Sequence, residues 1–282
     1  MFRGLITGHS EQAIADYHKA LDINPNSALG NYLLGKTYDE KFIYTLFFEK
    51  DPEDINAAVL FLTKAQQLKP PQELLFSIYE KRANTYFHAK NYEKSIEDIS
   101  KAIEINPEYG IGYWQRAETY HKLGKYRAAI EDYDIAIKLK SLHLDPSYPW
   151  SITGIYVGRG DGYSALGEYT SAIKDYSVAI EILTKALRGT GVTSSYFFDY
   201  YSKRSKAYER LGKHQLAKKD FRTAVKLIFD KKDAELKFKQ GQGHEGDEDQ
   251  EGKELTILNY KIAAILGHQK AQAWLKKKGI DW

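Results

Sequence analysis

The run Gly158-Arg159-Gly160-Asp161-Gly162 has a glycine spacing that suggests a phosphate cradle, because glycines let backbone N–H groups approach an anion. Such a cradle needs a strand before it and a helix after it. Here the flanking residues keep helical spacing, which places these glycines inside a helix. The eight histidines include no pair four apart that could share a metal on one helix face. No serine sits in a Gly-x-Ser-x-Gly turn, and the absence of cysteine removes thiol nucleophiles, zinc-thiolate sites and disulfides. Acid pairs recur as Glu97-Asp98 and Glu131-Asp132, each just before an apolar residue, and read as a solvated outer face. The acids between Lys239 and Gly252 lack calcium-loop spacing. The residues therefore point to no catalysis, no cofactor and no metal.

Composition narrows the class further. The chain has 282 residues, 43% hydrophobic and 28% charged, with a formal net charge of only +3. That balance supplies a core and gives no basic field for nucleic acid. No stretch approaches the ~20 apolar residues of a membrane span. The opening Met1-Phe2-Arg3-Gly4-Leu5-Ile6-Thr7-Gly8 is too short and polar for a secretory signal, although a precursor could have lost one; the expected compartment is the cytoplasm. With 22 tyrosines and seven prolines, the chain suits long packed helices with bulky knobs.

Those helices repeat. Arg82-Ala83 and Tyr86 return 34 residues later as Arg116-Ala117 and Tyr120, and Ser95, Ile99 and Ala102 return as Ala129, Tyr133 and Ala136. Further copies are Arg159-Gly160, Tyr163, Ala172, Tyr176, Ala179 and Arg204-Ser205, Tyr208, Ala217, Phe221, Ala224. Upstream, Leu34-Gly35, Tyr38, Ala58, Leu62 and Ala65 make another, while Ala13, Tyr17, Ala20 and Pro25 make half of one more. Small residues let two antiparallel helices approach closely and large ones fill the holes between them. The turns Leu123-Gly124, Leu166-Gly167 and Leu211-Gly212 offer left-handed helix ends, with Asn91 expected to substitute in its copy. Pro25, Pro70 and Pro107 close second helices.

This pattern resembles the tetratricopeptide repeat family over roughly residues 8–228. The resemblance implies an all-α, right-handed α-solenoid of antiparallel helical hairpins. A half repeat would span 8–27, and full repeats about 28–72, 76–109, 110–143, 153–186 and 198–229, making an array over 1–229. The polar, glycine-rich stretch 230–254 reads as a flexible acidic linker. Residues 255–282 read helix, glycine, helix and look like the shorter Sel1-type relative, expected to cap the last hairpin through Trp274 and Leu275.

Departures from the unit carry information of their own. Tyr38 to Ala58 spans eleven residues more than the other copies, and the excess holds Phe42, Ile43, Tyr44, Phe47 and Phe48. As a helix it would run two to three turns past its partner, and the next helix would restart at Asp51-Pro52. It either folds back on a neighbouring hairpin or forms a partner or dimer contact. The joints 141–152 and 185–197 are long and would edge the binding face. The first hairpin shows only its second helix; residues 1–7 could cover it, the array could be a fragment, or that end could mediate homo-oligomers.

The family resemblance implies a concave groove lined by first helices, binding a protein or peptide. Projecting from the repeated tyrosines, the groove takes Tyr32, Lys36 and Asp39, then Ser77, Glu80, Asn84 and Phe87, then Ile111, Trp114, Gln115, Glu118 and His121. In later hairpins it takes Asp161 with Gly154, Val157 and Ser164, then Lys206 with Asp199, Ser202 and Glu209. Trp114 reads either as a central hot spot or as packing. Family members that bind acidic chaperone tails use a clamp of Lys, Asn, Asn, Lys and Arg. Here Asn84 fits one element, but Glu80, Gln115, Gly154 and Gly158 stand in the others' places. With Glu80, Glu118 and Asp161 the groove is acidic, so the expected partner is a neutral or basic peptide. The leading expectation is a protein-interaction scaffold; the alternatives are an accessory module of a larger enzyme or sensor, and, against the sign of the groove, an RNA-binding helical repeat.

Overall fold

The computed structural model describes residues 2–45, 52–139, 149–188, 195–229, 232–244 and 249–282. Every regular element among them is a helix, and the chain divides into two compact units, Met1–His143 and Leu144–Trp282. The first holds α1 (Phe2–Ile23), α2 (Ala28–Thr45), α3 (Pro52–Gln67), α4 (Gln72–His88), α5 (Tyr92–Ile105), α6 (Gly110–Lys122) and α7 (Tyr126–Lys138). The second holds α8 (Pro149–Ala165), α9 (Tyr169–Ala186), α10 (Ser195–Arg210), α11 (His214–Ile228), α12 (Asp233–Gly243), α13 (Gln250–Ile265) and α14 (Gln269–Lys277). Within each unit neighbours in sequence pack as hairpins: α2 on α3, α4 on α5 and α6 on α7, then α8 on α9, α10 on α11, α12 on α13 and α13 on α14. Second helices also meet the first helix of the next pair, as α5 meets α6 and α9 meets α10.

Close approach explains the repeated small residue. A Cβ on Gly35 would stand 2.8 Å from Leu62, and one on Gly160 2.7 Å from the Tyr176 ring, inside any tolerable contact. Gly160 and its neighbouring glycines lie within α8, so no phosphate loop exists there. The turns close as expected at Gly124, Gly167 and Gly212, with φ of 70°, 79° and 69°, and Gly267 does the same between α13 and α14. In the remaining copy the left-handed residue is Lys90, at φ 59°, and not Asn91. Asn91 instead caps α5, its side chain accepting from the Lys94 N–H. The expected position is one residue late because Asn91, like Gly, is a residue type that tolerates φ > 0, whereas Lys90 is held there by the hairpin around it.

The strongest departure concerns the acid pairs. Glu97 and Glu131 are exposed, but Asp98 and Asp132 are only 4% exposed, as is Asp175, and Asp220 is 6% exposed. Each is gripped by the repeated arginine of its own hairpin, sixteen residues earlier. Arg82 Nε and Nη2 donate to the two carboxylate oxygens of Asp98 at 2.6 and 2.8 Å. Arg116 does the same to Asp132 at 2.7 and 2.9 Å, Arg159 to Asp175 at 2.8 and 2.7 Å, and Arg204 to Asp220 at 2.7 and 2.9 Å. The remaining nitrogen reaches the preceding second helix: Arg82 Nη1 donates to Thr63, Arg116 Nη1 to Ser100 and Arg204 Nη1 to Ser177. Each guanidinium also lies 5.3–5.8 Å from the ring of a tyrosine one turn before it, Tyr79, Tyr113, Tyr156 or Tyr201. The bidentate fork matches carboxylate geometry, which a lysine could not do.

The second hairpin does without this pair. Leu34 stands at the arginine position, fully buried, and Phe61 at the aspartate position, stacked on Tyr38 at 5.9 Å. Its long first helix is folded back at least as far as Phe42. That side chain is 5% exposed, and Lys41 bonds Asp54 near the start of α3 at 3.0 Å. Phe42 is therefore hairpin packing and not an exposed contact. Phe47, Phe48 and the side chain of Tyr44 lie outside the described residues.

The stretch 230–254 is not an unstructured linker where it is described: it carries α12 and the start of α13. Its composition argues for solvation, but tertiary contacts override it. Gly241 lets α12 approach to where an added Cβ would be 3.0 Å from the Tyr260 ring, and Phe238 stacks on His268 at 4.1 Å. Trp274 and Leu275 anchor inward on Tyr260; the last repeat hairpin is instead joined to the chain's final residues, Lys218 of α11 donating to Asp281 and Arg222 to the Trp282 carbonyl.

Two outcomes test these assignments by urea and thermal unfolding. Asp132→Ala strands a buried guanidinium and costs about 3–5 kcal/mol. The double change Arg116→Leu with Asp132→Phe, copying Leu34 and Phe61, stays within about 1.5 kcal/mol of the parent; equal losses in both variants would refute the pairing argument. Lys90→Gly relieves the left-handed strain and gains about 0.5–1 kcal/mol, a melting rise of about 1–4 °C, whereas Lys90→Ala gains nothing.

Candidate functional site

In the first unit, the first helices α2, α4 and α6 are joined side by side by polar contacts among the projected groove residues. The Tyr32 hydroxyl interacts with Ser77 of α4, and its pKa is raised by burial first and then by Glu80. Glu80 accepts from the hydroxyl of Tyr109, the residue that precedes α6, at 3.0 Å. Burial and that carboxylate hold the Tyr109 hydroxyl protonated far above its ordinary range. Asn84 accepts from Gln115 Nε2 at 3.2 Å, and within α6 Trp114 Nε1 donates to Glu118 at 3.2 Å. Of the projected residues, Tyr32 and Glu80 meet across α2 and α4, Asn84 meets Gln115 across α4 and α6, and Trp114 meets Glu118 within α6. His121, near the end of α6, is edge-on to Tyr126 at 5.1 Å. Lys36 is half-buried and pairs along its own helix with Glu40 at 3.8 Å.

Asp39 does not belong to an open surface. It is completely buried, accepting from Thr85 at 2.9 Å with Lys81 at 3.5 Å, and so ties α2 to α4 from below. A helical projection places it on the right face but cannot see that Thr85 and Lys81 cover it.

Burial also marks two groups of α6. Burial raises the Glu118 carboxyl above its ordinary pKa, against the opposing pull of the Trp114 hydrogen bond and Lys122, so a cation brought to it would be favourable. Gln115 Oε1 is buried and makes no hydrogen bond among the described residues.

Asp161 and Lys206 lie in the second unit. Asp161 accepts from Tyr176 and from Lys203 of α10, both at 2.8 Å, so its charge is already balanced. Lys206 is exposed. Among the described residues no three His, Cys, Asp or Glu side chains are placed to hold a metal, and no helix is long and apolar enough to cross a membrane.

A tetratricopeptide repeat model matches residues 74–144 and another matches 198–231, while a TPR repeat model matches 7–41. No curated protein sequence matches the chain. In structure the chain is similar to a tetratricopeptide repeat protein from Parabacteroides merdae ATCC 43184, with 19% identity, a TM-score of 0.58, and coverage of 98% of this chain and 94% of that one. It is also similar to MamA, at 24% identity and TM-score 0.52 over 65% of this chain and 94% of that one. A third likeness is to BtubC from P. vanneervenii, at 15% identity and TM-score 0.59 over 78% and 88%. At these identities the likeness is one of fold, and the Sel1-like resemblance of the last helices has no counterpart in the matched segments. With repeat matches in both units and hairpins that close on the same small residues, this chain is a tetratricopeptide repeat protein.

Proposed function

We propose that the protein is an interaction scaffold whose first unit binds a neutral to basic peptide segment along α2, α4 and α6. Tetratricopeptide repeats generally serve as protein-interaction modules. The observation that carries the reading is the Trp114–Glu118 pair: an aromatic face beside a poorly hydrated carboxyl. That arrangement suits a lysine or arginine side chain, whose stem packs on the indole while its head meets the carboxylate. An acidic tail would face Glu80 and Glu118 and lose affinity to like charge.

Fluorescence anisotropy with twelve-residue peptides that differ only in charge tests this. Basic peptides bind more tightly than acidic ones, and Trp114→Ala or Glu118→Gln weakens the basic peptide about tenfold or more, a loss of about 1.4 kcal/mol. Equal or stronger binding of acidic peptides would sink the proposal. The pH dependence follows from the sign of the shift. Glu118 loses its charge at a pH above the usual carboxylate range, so affinity for a basic peptide falls as pH drops through that raised value. Glu118→Gln flattens this part of the profile; an unchanged profile would remove Glu118 from the site.

A further inference from the structure

Leu62, Ile99, Tyr133 and Tyr176 share one repeat position on second helices, and none is more than 2% exposed. Phe221 holds that position on α11 and is only half-buried. The difference lies in the neighbour. The α4–α5 core is packed by Tyr109 and Tyr113 at the start of α6, and the α8–α9 core by Phe197 and Tyr201 of α10. In both cases the cover is a pair of aromatic side chains four residues apart, on the next first helix or, for Tyr109, at the residue that caps its start. Among the described residues, no helix takes that seat at α11. α13 stands across from it and leaves a cavity of about 700 Å³ lined by Ala217 and Phe221 of α11, Leu255 and Leu258 of α13, Lys206 of α10, and Trp282.

Lys206 lines the same cavity. At its repeat position Asn84 and Asp161 bond to the first helix that follows, through Gln115 and Lys203, while Lys36 and Glu118 bond within their own helices. Lys206 makes no such bond among the described residues and faces the cavity instead. The tail is latched across the mouth by Lys218 to Asp281 and Arg222 to the Trp282 carbonyl, which fixes one wall.

We propose that this cavity is a second binding seat that takes a short amphipathic helix of a partner protein, presenting two aromatic side chains four residues apart to α11. The occupant's chemistry follows from the fold's own solution to the same problem at α5 and α9. Its length follows from volume: a helix about 10 Å across occupies about 120 Å³ per residue, so 700 Å³ admits about six residues, or under two turns. The incoming helix also supplies a carbonyl or carboxylate to Lys206.

The probe is a labelled peptide of residues 195–210, which carries Phe197 and Tyr201 and seats on α9 in the native fold. Anisotropy against the full chain gives saturable binding. The binding weakens tenfold or more when both aromatics of the peptide become alanine. It weakens as much in two chain variants, Leu255→Trp, which fills the cavity, and Leu258→Arg, which charges its wall, with circular dichroism confirming that both keep their helicity. No binding to the parent chain, or binding indifferent to both variants, overturns the proposal. So does binding of the small apolar dye anilinonaphthalene sulfonate in the cavity, blocked by Leu255→Trp but undisplaced by the peptide, since the seat then takes small molecules. This seat and the row at Trp114 fail separately: one responds to Leu255 and Leu258, the other to Glu118.

Discussion

The arginine–aspartate fork inside four successive hairpins is the interaction around which the rest of the structure is arranged. Two antiparallel helices meeting at a line of small residues bring their flanking side chains out of water, and a charge carried there must be matched. The fork matches it with two parallel hydrogen bonds, gives the third nitrogen a hydroxyl on the previous hairpin, and covers the guanidinium with a tyrosine ring. Its specificity is angular. A hairpin that slid by one residue would turn the aspartate to solvent and leave a buried cation, so the pair enforces register more than it adds stability. Leu34 and Phe61 show the other solution, in which apolar packing fills the same two positions and no register penalty is built in.

The legible part of this architecture was the part that depends on size and spacing. Alanine, glycine and tyrosine at intervals of three, four and seven identify the helices, their order and their contact line. Charge was harder to read, because Asp98 and Asp132 adjoin exposed glutamates and only the arginine sixteen residues back gives them a buried role. The left-handed turn fell on Lys90 and not on Asn91, since residue preference is a weaker force than the closure of a packed hairpin. Residues 233–243 formed a helix against their composition for a related reason: Gly241 and Phe238 find a partner surface in Tyr260 and His268 that lies beyond any local window.

The candidate row at Trp114 was likewise half legible. Facing positions on successive first helices follow from periodicity, and Tyr32 with Glu80 and Asn84 with Gln115 do meet across neighbouring helices. What periodicity could not supply was depth. Asp39 sits beneath the surface because Thr85 and Lys81 close over it, and the Gln115 side-chain oxygen is likewise buried. The acidity of the row is also unequal: Glu80 is occupied by Tyr109, while Glu118 keeps only one indole donor.

The placing of the fork also bears on how such chains grow and shrink. Both charges of each pair lie within one hairpin, and what crosses to the previous hairpin is a neutral hydroxyl from Thr63, Ser100 or Ser177. As far as the fork is concerned, a gene segment encoding one hairpin arrives electrically complete. Duplicating or deleting it leaves every arginine with its aspartate and asks the new neighbour only for a serine or threonine. Asp39 and Asp161 are different, because each draws its cation, Lys81 or Lys203, from the hairpin that follows, so tandem expansion is buffered at the fork and exposed at those two carboxylates.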